Sequence, residues 1–104
     1  MEKLIEKKIE FDAVFSINDP VAIGASRALK DHKITIPDEV AVIGFSNNPI
    51  TEYVTPSITT VEQPAYEMGK VSASILISLI EEEELNYNSK IIKLPSKLIL
   101  RDSV

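Results

Sequence analysis

The sequence predicts an α/β fold built on a partial, doubly wound parallel sheet. Its apolar runs are short, rich in Val, Ile and Phe, and separated by longer segments with helical spacing. Two of these runs are continuous instead of alternating, which is typical of parallel strands covered by helices. The 104 residues suffice for one modest domain, but they supply few elements. We therefore expect a piece of a larger doubly wound protein.

The first elements are a short helix, a strand and a longer helix. The charge-rich segment 1–10 predicts the end of a surface helix, and 11–17 (FDAVFSI) predicts a buried strand. Asp19 followed by Pro20 predicts a helix start with Asp19 as the N-cap acceptor, and this helix is expected to end near Asp31. One face of the helix would carry Val21, Ala22, Ala25, Ala28 and Leu29.

The next elements are two strands, with a helical turn between them, and the longest helix. Residues 40–45 (VAVIGF) predict a second buried strand, and 50–54 predict one helical turn. The β-branched segment 58–61 predicts a strand or an extended crossing. A helix is expected from Gln63-Pro64 onward, because apolar residues recur there at helical spacing: Met68, Val71, Ile75, Leu76, Leu79 and Ile80.

The end of the chain predicts a turn and a last strand. The acidic run Glu81 to Glu84 reads as a solvated helix end, because adjacent carboxylates on a helix point in different directions and cannot chelate together. Asn86 and Asn88 predict a turn, and 90–100 predicts a strand interrupted by Pro95.

Composition excludes several classes of protein. The 11 basic and 16 acidic residues give a net charge of −5, so this chain is not expected to hold DNA by itself. The absence of Cys excludes a disulfide scaffold and a thiolate metal site. No apolar run approaches the ~20 residues that span a bilayer. These features are compatible with a reducing cytoplasm, which is the expected location.

Five motifs occur in order along the chain: NDPVAIGA at 18–25, IPDEVAVIGF at 36–45, TTVEQP at 59–64, Met68-Gly69, and LILRDS at 98–103. Together they resemble the C-terminal part of the effector-binding region of LacI/GalR-type transcriptional regulators. The resemblance covers nearly the whole chain from Phe11 onward.

The resemblance implies a type I periplasmic-binding-protein-like core with two α/β lobes and a ligand cleft. Residues of about 1–60 would belong to the C-terminal lobe, about 61–92 to a crossing and a helix of the N-terminal lobe, and about 93–104 to the return. The family's DNA-binding helix-turn-helix has no counterpart in this chain, so DNA would be bound only through a domain outside it.

The resemblance and the strand ends together predict ligand residues. Asn18 and Asp19 follow the first strand at its carboxyl end, where open α/β sheets bind ligands; helix capping is their alternative role. Ser46 follows the second strand, where the family commonly has an aspartate that grips sugar hydroxyls. Serine cannot form a charge-assisted pair, so either the effector is not a simple free sugar or Asn47 and Asn48 compensate. Gln63 would face the cleft, with helix capping as the alternative.

The resemblance also implies a homodimer contact through the helix that begins near Pro20. The matching residues are Ile23, Arg27 and Tyr53. Ile23 and Arg27 are four residues apart and so lie on one helical face. For Ile23, ordinary packing is the alternative.

No residue pattern indicates catalysis, a metal site or a cofactor. His32 near a helix end suits the helix dipole, and no nucleophile-elbow spacing is present. The function expected is binding of a sugar-like effector and dimerisation in a LacI-type regulator. A periplasmic sugar-binding protein of a transport system is the main alternative. A Rossmann-type enzyme is less consistent, because the dinucleotide fingerprint is absent.

Overall fold

The computed structural model of the chain describes residues 1–81 and 91–104. The chain forms two compact units, one from Met1–Glu62 with Lys97–Val104 and one from Gln63–Ser96. Some predicted features lie outside the described residues: the acidic residues 82–84, the turn at Asn86 and Asn88, and the strand start at Lys90.

The first unit is built on a four-stranded sheet in the order β1-β2-β3-β4. Its strands are β1 (Ala13–Phe15), β2 (Ala41–Phe45), β3 (Thr59–Glu62) and β4 (Lys97–Ile99). The first three run parallel, and β4 pairs antiparallel with β3. A mixed α/β architecture with a mostly parallel sheet is therefore confirmed.

Three helices belong to this unit: α1 (Glu2–Glu6), α2 (Asp19–Asp31) and α3 (Ile50–Tyr53). The α2 bounds agree with the prediction, and α3 is the single helical turn expected there. α2 packs against β1 and β2. Burial of apolar surface between helix and sheet forms the core, which consists of Ala22, Leu29, Val40, Val42 and Ile58.

The prediction that 11–17 forms a buried strand is wrong in its burial. β1 is only three residues long, and Phe15 and Ile17 are 65% and 81% exposed. Successive side chains of a strand point to opposite faces, so Val14 packs against the core while Phe15 lies on the other face, and Ile17 follows the end of the strand. The Phe15 ring makes an edge-on contact with Phe45 at a centroid distance of 6.3 Å. Val21, predicted on the buried face of α2, is also exposed.

The N-cap of α2 is Asn18 and not Asp19. The Asn18 Oδ1 accepts a hydrogen bond from the backbone N–H of Val21 at 3.0 Å, while Asp19 is the first helical residue and is fully buried. The Asn-Asp-Pro sequence offers two adjacent acceptors, and the cap goes to the residue with extended backbone (φ −156°, ψ 168°).

The last residues complete the sheet. The fully buried Ser103 donates its hydroxyl hydrogen to the Val42 carbonyl at 2.5 Å and accepts a hydrogen bond from the Thr59 N–H at 2.8 Å. The Val42 N–H in turn donates to the Ser103 carbonyl at 2.9 Å. β4 starts only at Lys97 and not at the start of 90–100, because Pro95 has no N–H to give to a ladder.

In the second unit, α4 (Ala65–Glu81) begins two residues after Gln63 and has no buried residue. Val71, Ile75 and Leu79 are half-buried, whereas Met68, Leu76 and Ile80 are exposed. Among the helices described, none is long and apolar enough to cross a membrane.

Candidate functional site

The carboxyl ends of β1 and β2 meet at one edge of the sheet. Phe15 is the register partner of Ile43 in the parallel pair. Asn18 and Ser46 each follow this pair by three residues, so the two predicted positions leave the sheet at the same level. This edge is where ligands bind in open α/β sheets. We call the stretch formed by residues 18–19 and 46–48 the polar edge.

Asp19 joins the polar edge to β3. One carboxylate oxygen accepts a hydrogen bond from the Thr60 hydroxyl at 2.6 Å, and the other accepts one from the Asn48 backbone N–H at 2.6 Å. The side chain is fully buried. The first turn of α2 further stabilises this carboxylate, because the helix dipole favours negative charge there. Asp19 thereby links the start of α2 to β3 and to the loop that follows β2.

Gly44 makes room for this carboxylate. A Cβ on Gly44 would collide with the Asp19 Oδ1 and would lie 3.2 Å from its Cγ and 3.3 Å from its Cα. A glycine inside a strand often marks such a close approach of another group. That signal is present in the run VAVIGF, where Gly44 lies inside β2.

Asn18 is exposed at the start of α2. Within residues 1–81 and 91–104, its side chain makes one hydrogen bond, the cap to Val21 through Oδ1. The carboxamide nitrogen is a donor that the cap does not use. Asn18 therefore combines a structural role with the capacity to donate to a ligand.

Ser46 and Asn47 turn the chain sharply at the end of β2. Their φ angles are 102° and 50°, in the left-handed region that non-glycine residues seldom adopt. The Ser46 N–H still pairs with the Val61 carbonyl at 2.8 Å, and the Asn47 N–H donates to the Thr60 hydroxyl at 3.2 Å. Ser46 is exposed and Asn47 is half-buried. Such backbone conformations persist only where surrounding contacts hold them.

The Asn47 side chain is held from both ends. Its Oδ1 accepts a hydrogen bond from Arg101 Nη2 at 3.0 Å, and its Nδ2 donates to Glu62 Oε1 at 3.1 Å. Sequence reasoning predicted Asn47 as a ligand residue and missed Arg101 and Glu62. The only signal for them was their presence in the LILRDS and TTVEQP motifs, and a motif does not reveal contacts over 54 and 15 positions.

Gln63 is the first residue of the second unit and is half-buried. Its backbone carbonyl accepts a hydrogen bond from the Ala65 N–H at 2.8 Å. The expectation that Gln63 faces a ligand stays a prediction.

The predicted dimer residues lie on the surface of the first unit. Ile23 packs partly against the core and, with Arg27, lines a groove of about 290 Å³ whose walls include Val54 and Pro56. Arg27 forms an exposed ion pair with Asp31 at 2.9 Å; the hydrogen bond that Arg27 donates to the Asp31 carboxylate, and then the charge of that carboxylate, raise the pKa of Arg27. Tyr53 at the end of α3 is 78% exposed.

The polar edge offers hydrogen-bonding groups and no metal site. In the described part of the chain, no group of three or more His, Cys, Asp or Glu side chains could hold a metal ion. The His32 Nδ1 lies 2.9 Å from the Ala28 carbonyl near the end of α2. The arrangement is therefore suited to recognising hydroxyl and other polar groups.

Comparison with known proteins agrees with this architecture. Residues 2–104 match the family model described as a periplasmic binding protein-like domain. A ribose operon repressor of Halalkalibacterium halodurans is 39% identical over 101 residues, which cover 96% of this chain and 30% of that protein. The chain thus spans about a third of the length of the curated relatives it matches.

Solved structures give the same picture. A sugar-binding LacI-family transcriptional regulator from Escherichia coli, complexed with phosphate, is 34% identical with a TM-score of 0.83 over 99% of this chain and 36% of that one. A LacI-family regulator from Enterococcus faecium with bound ribose is 31% identical with a TM-score of 0.74, over 98% of this chain and 38% of that one.

Proposed function

Since the chain belongs to the periplasmic binding protein-like family of LacI/GalR-type regulators, we propose that its polar edge forms one wall of an effector cleft. The effector is a sugar or a sugar derivative, and the protein binds it without transforming it. The first unit would belong to the C-terminal lobe, and the second would belong to the N-terminal lobe. The protein acts as a transcriptional regulator in the cytoplasm.

The Asp19 carboxylate carries this proposal. Its two hydrogen bonds, with the Thr60 hydroxyl and the Asn48 backbone, link the start of α2 to β3 and to the loop after β2. Asn18 and Ser46 are thereby presented at one edge as ligand contacts. Asp19 and Asn47, both predicted as contacts, enter the proposal as the side chains that build the wall, because their polar atoms already bond to the protein.

Serine at position 46 bears on the choice of effector. Its hydroxyl is a neutral group, and hydrogen bonds to charged groups are roughly twice as strong as neutral ones. Affinity for the effector therefore depends more on the Asn18 amide and on groups across the cleft. The ribose-bound relative from Enterococcus faecium makes D-ribose the first sugar to test.

DNA binding would reside outside this chain. The net charge of −5 disfavours contact with phosphates, so a separate basic domain is required to read an operator. Effector binding would bias the closure of the two lobes and thereby the arrangement of a homodimer. Such coupling is typically about 1–3 kcal/mol and requires different affinities for two states.

The test is a calorimetric titration of the intact protein with D-ribose and then with a panel of pentoses, hexoses and disaccharides. We expect one of them to bind and to change operator affinity by about 5–150-fold. The proposal would be overturned if every sugar left both the calorimetric baseline and operator affinity unchanged.

A matched pair of variants tests Asn18. Asn18→Ser keeps an N-cap acceptor but removes the amide donor, so the fold should persist while sugar affinity falls about tenfold. Asn18→Ala removes the cap as well and should also lower the free energy of unfolding by about 1 kcal/mol. Wild-type affinity in the serine variant would show that Asn18 does not contact the sugar.

A further inference from the structure

We propose that the Asn47 carboxamide links the polar edge to both segments by which the chain passes between the two units. We call this link, formed by Asn47, Glu62 and Arg101, the joint. In this proposal Glu62 and Arg101 are positioning residues of the effector site. This inference rests on the proposed function, because that function makes the polar edge part of a ligand site. The hydrogen bonds of the joint themselves lie entirely within the first unit.

The two partners fix which way the carboxamide points. A guanidinium only donates hydrogen bonds and a carboxylate only accepts them. Arg101 therefore requires the oxygen of Asn47, at 3.0 Å, and Glu62 requires its nitrogen, at 3.1 Å. A rotation of the amide by 180° would break both hydrogen bonds. The amide nitrogen would then face the Arg101 donor, and the amide oxygen would face the Glu62 acceptor. The orientation of Asn47 is thus set by residues far from it in sequence.

Arg101 is itself held firmly. Its side chain is 11% exposed, and it donates to the Thr51 hydroxyl at 3.1 Å and to the Ile58 carbonyl at 3.0 Å. The more exposed Glu52 adds an ion pair at 3.6 Å. These contacts anchor the guanidinium to α3 and to the start of β3.

The position of the joint in the chain gives it a role beyond local packing. Glu62 is the last residue of the first unit before Gln63. Arg101 follows β4, by which the chain returns to the first unit at Lys97. Asn47 thus bridges the outgoing and the returning segment, and its neighbour Ser46 is at the polar edge. A displacement of the segment at Glu62 or at Arg101 would therefore move the polar edge. Conversely, a ligand bound at the polar edge would shift both segments.

Substitutions at positions 47 and 62 form a cycle that isolates the joint. Asn47→Gly removes both bonds and keeps a backbone conformation that glycine adopts without strain. Asn47→Asp retains an acceptor for Arg101 but sets a carboxylate against Glu62, which breaks that side of the joint. Asn47→Asp combined with Glu62→Gln restores a donor and an acceptor with their positions exchanged. Glu62→Gln alone keeps an acceptor for Asn47 and is the second single variant of the cycle.

We expect the affinity of the folded intact protein for D-ribose to fall about tenfold in N47G and N47D, and to return to within about threefold of wild type in the double variant. Ser103→Ala is the control for a general loss of stability, because it destabilises the first unit outside the joint. This variant should leave the ribose affinity of the folded protein unchanged. Equal affinities across the cycle, or no recovery in the double variant, would refute the joint.

Hydrogen exchange keeps the joint testable if D-ribose does not bind. In that case D-ribose is not the effector. The hydrogen-exchange rates of the backbone amides at positions 46 and 47 then test the joint without any ligand. Both should rise about tenfold in N47G and N47D and recover in the double variant. Unchanged exchange in N47G would contradict the proposal.

Discussion

At the scale of single residues, the close fit between Gly44 and Asp19 is the most sensitive feature of the polar edge. The Asp19 carboxylate occupies the space that a Cβ at position 44 would need. Because Asp19 is fully buried and bonded to two elements, it cannot move aside without losing the Thr60 and Asn48 bonds. Adding one methyl group at position 44 therefore disturbs the contacts of Asp19 with both β3 and the loop after β2.

We expect Gly44→Ala to lower the free energy of unfolding by about 1–3 kcal/mol through overpacking. The measurement is urea unfolding followed by circular dichroism. Gly24→Ala is the matched control, since a Cβ there meets nothing within 4 Å; in a helix interior it should be neutral or stabilising by up to about 1 kcal/mol. Equal stability of both variants would show that Asp19 has room to relax.

Glu39 provides a pH-dependent contact elsewhere in the first unit. The Thr35 backbone N–H and then the Thr35 hydroxyl, both at 2.7 Å from Glu39 Oε2, lower the pKa of Glu39 below its ordinary value. A lowered pKa in the folded state means that this contact stabilises the fold above the unfolded-state pKa. The contribution is lost as the pH falls through the folded-state pKa.

We expect Thr35→Val to raise the pKa of Glu39 toward its ordinary value, because the variant removes the hydroxyl donor and keeps the backbone donor. Carboxyl chemical shifts in a pH titration measure this. The Thr35→Ser variant retains both donors and should titrate as wild type. An identical Glu39 midpoint in the valine variant would leave the backbone N–H as the sole cause.

At the scale of elements, hydrophobic pattern and breakers placed the strands and helices, but not their burial. The start of α2 follows from the Asn-Asp-Pro sequence, and the position of β2 follows from the apolar run VAVIGF. Both signals are local in the sequence. β1 has an equally apolar run, yet only Val14 packs against the core, and Phe15, on the opposite face, is exposed. The hydrophobic pattern of the sequence identifies side chains that can be buried. Whether a side chain is buried depends on the elements that pack against it.

We expect Ser103→Ala to destabilise the first unit by about 1–3 kcal/mol for each buried backbone group left without a partner, the Val42 carbonyl and the Thr59 N–H. Thermal unfolding measured by circular dichroism tests it. Asp102→Ala, next to it, removes only an exposed contact with Ser57 and should change stability by less than about 0.5 kcal/mol. A comparable loss in both variants would contradict the specific role of Ser103.

At the scale of the whole molecule, the sequence predicted the edge of the sheet at which the candidate site lies, but it did not predict how that site is built. Strand ends and family motifs located Asn18 and Ser46, because parallel strands place their carboxyl ends together. The roles of Asp19, Gly44 and Arg101 depend on contacts between segments far apart in sequence. Such contacts leave no periodic signal, so only the structure reveals them.

Assembly is the other property at this scale. We expect Ile23→Glu to weaken a homodimer of the intact protein, because a charge would be placed on the apolar side of the groove beside Arg27. Sedimentation velocity at micromolar concentration measures the mass. Asp38→Lys, a charge change at an exposed residue that does not line this groove, serves as the control. A dimer that is unchanged by the Ile23 variant would remove Ile23 from the interface.

The participation of the final eight residues in the sheet has a consequence for biosynthesis. β4 and Ser103 supply partners for β3 and β2, and they follow Gln63–Ser96 in the sequence. The sheet of the first unit can therefore be completed only after Gln63–Ser96 has been translated. Until then the edge of β3 that pairs with β4 has no partner, and unpaired strand edges are prone to association with other chains.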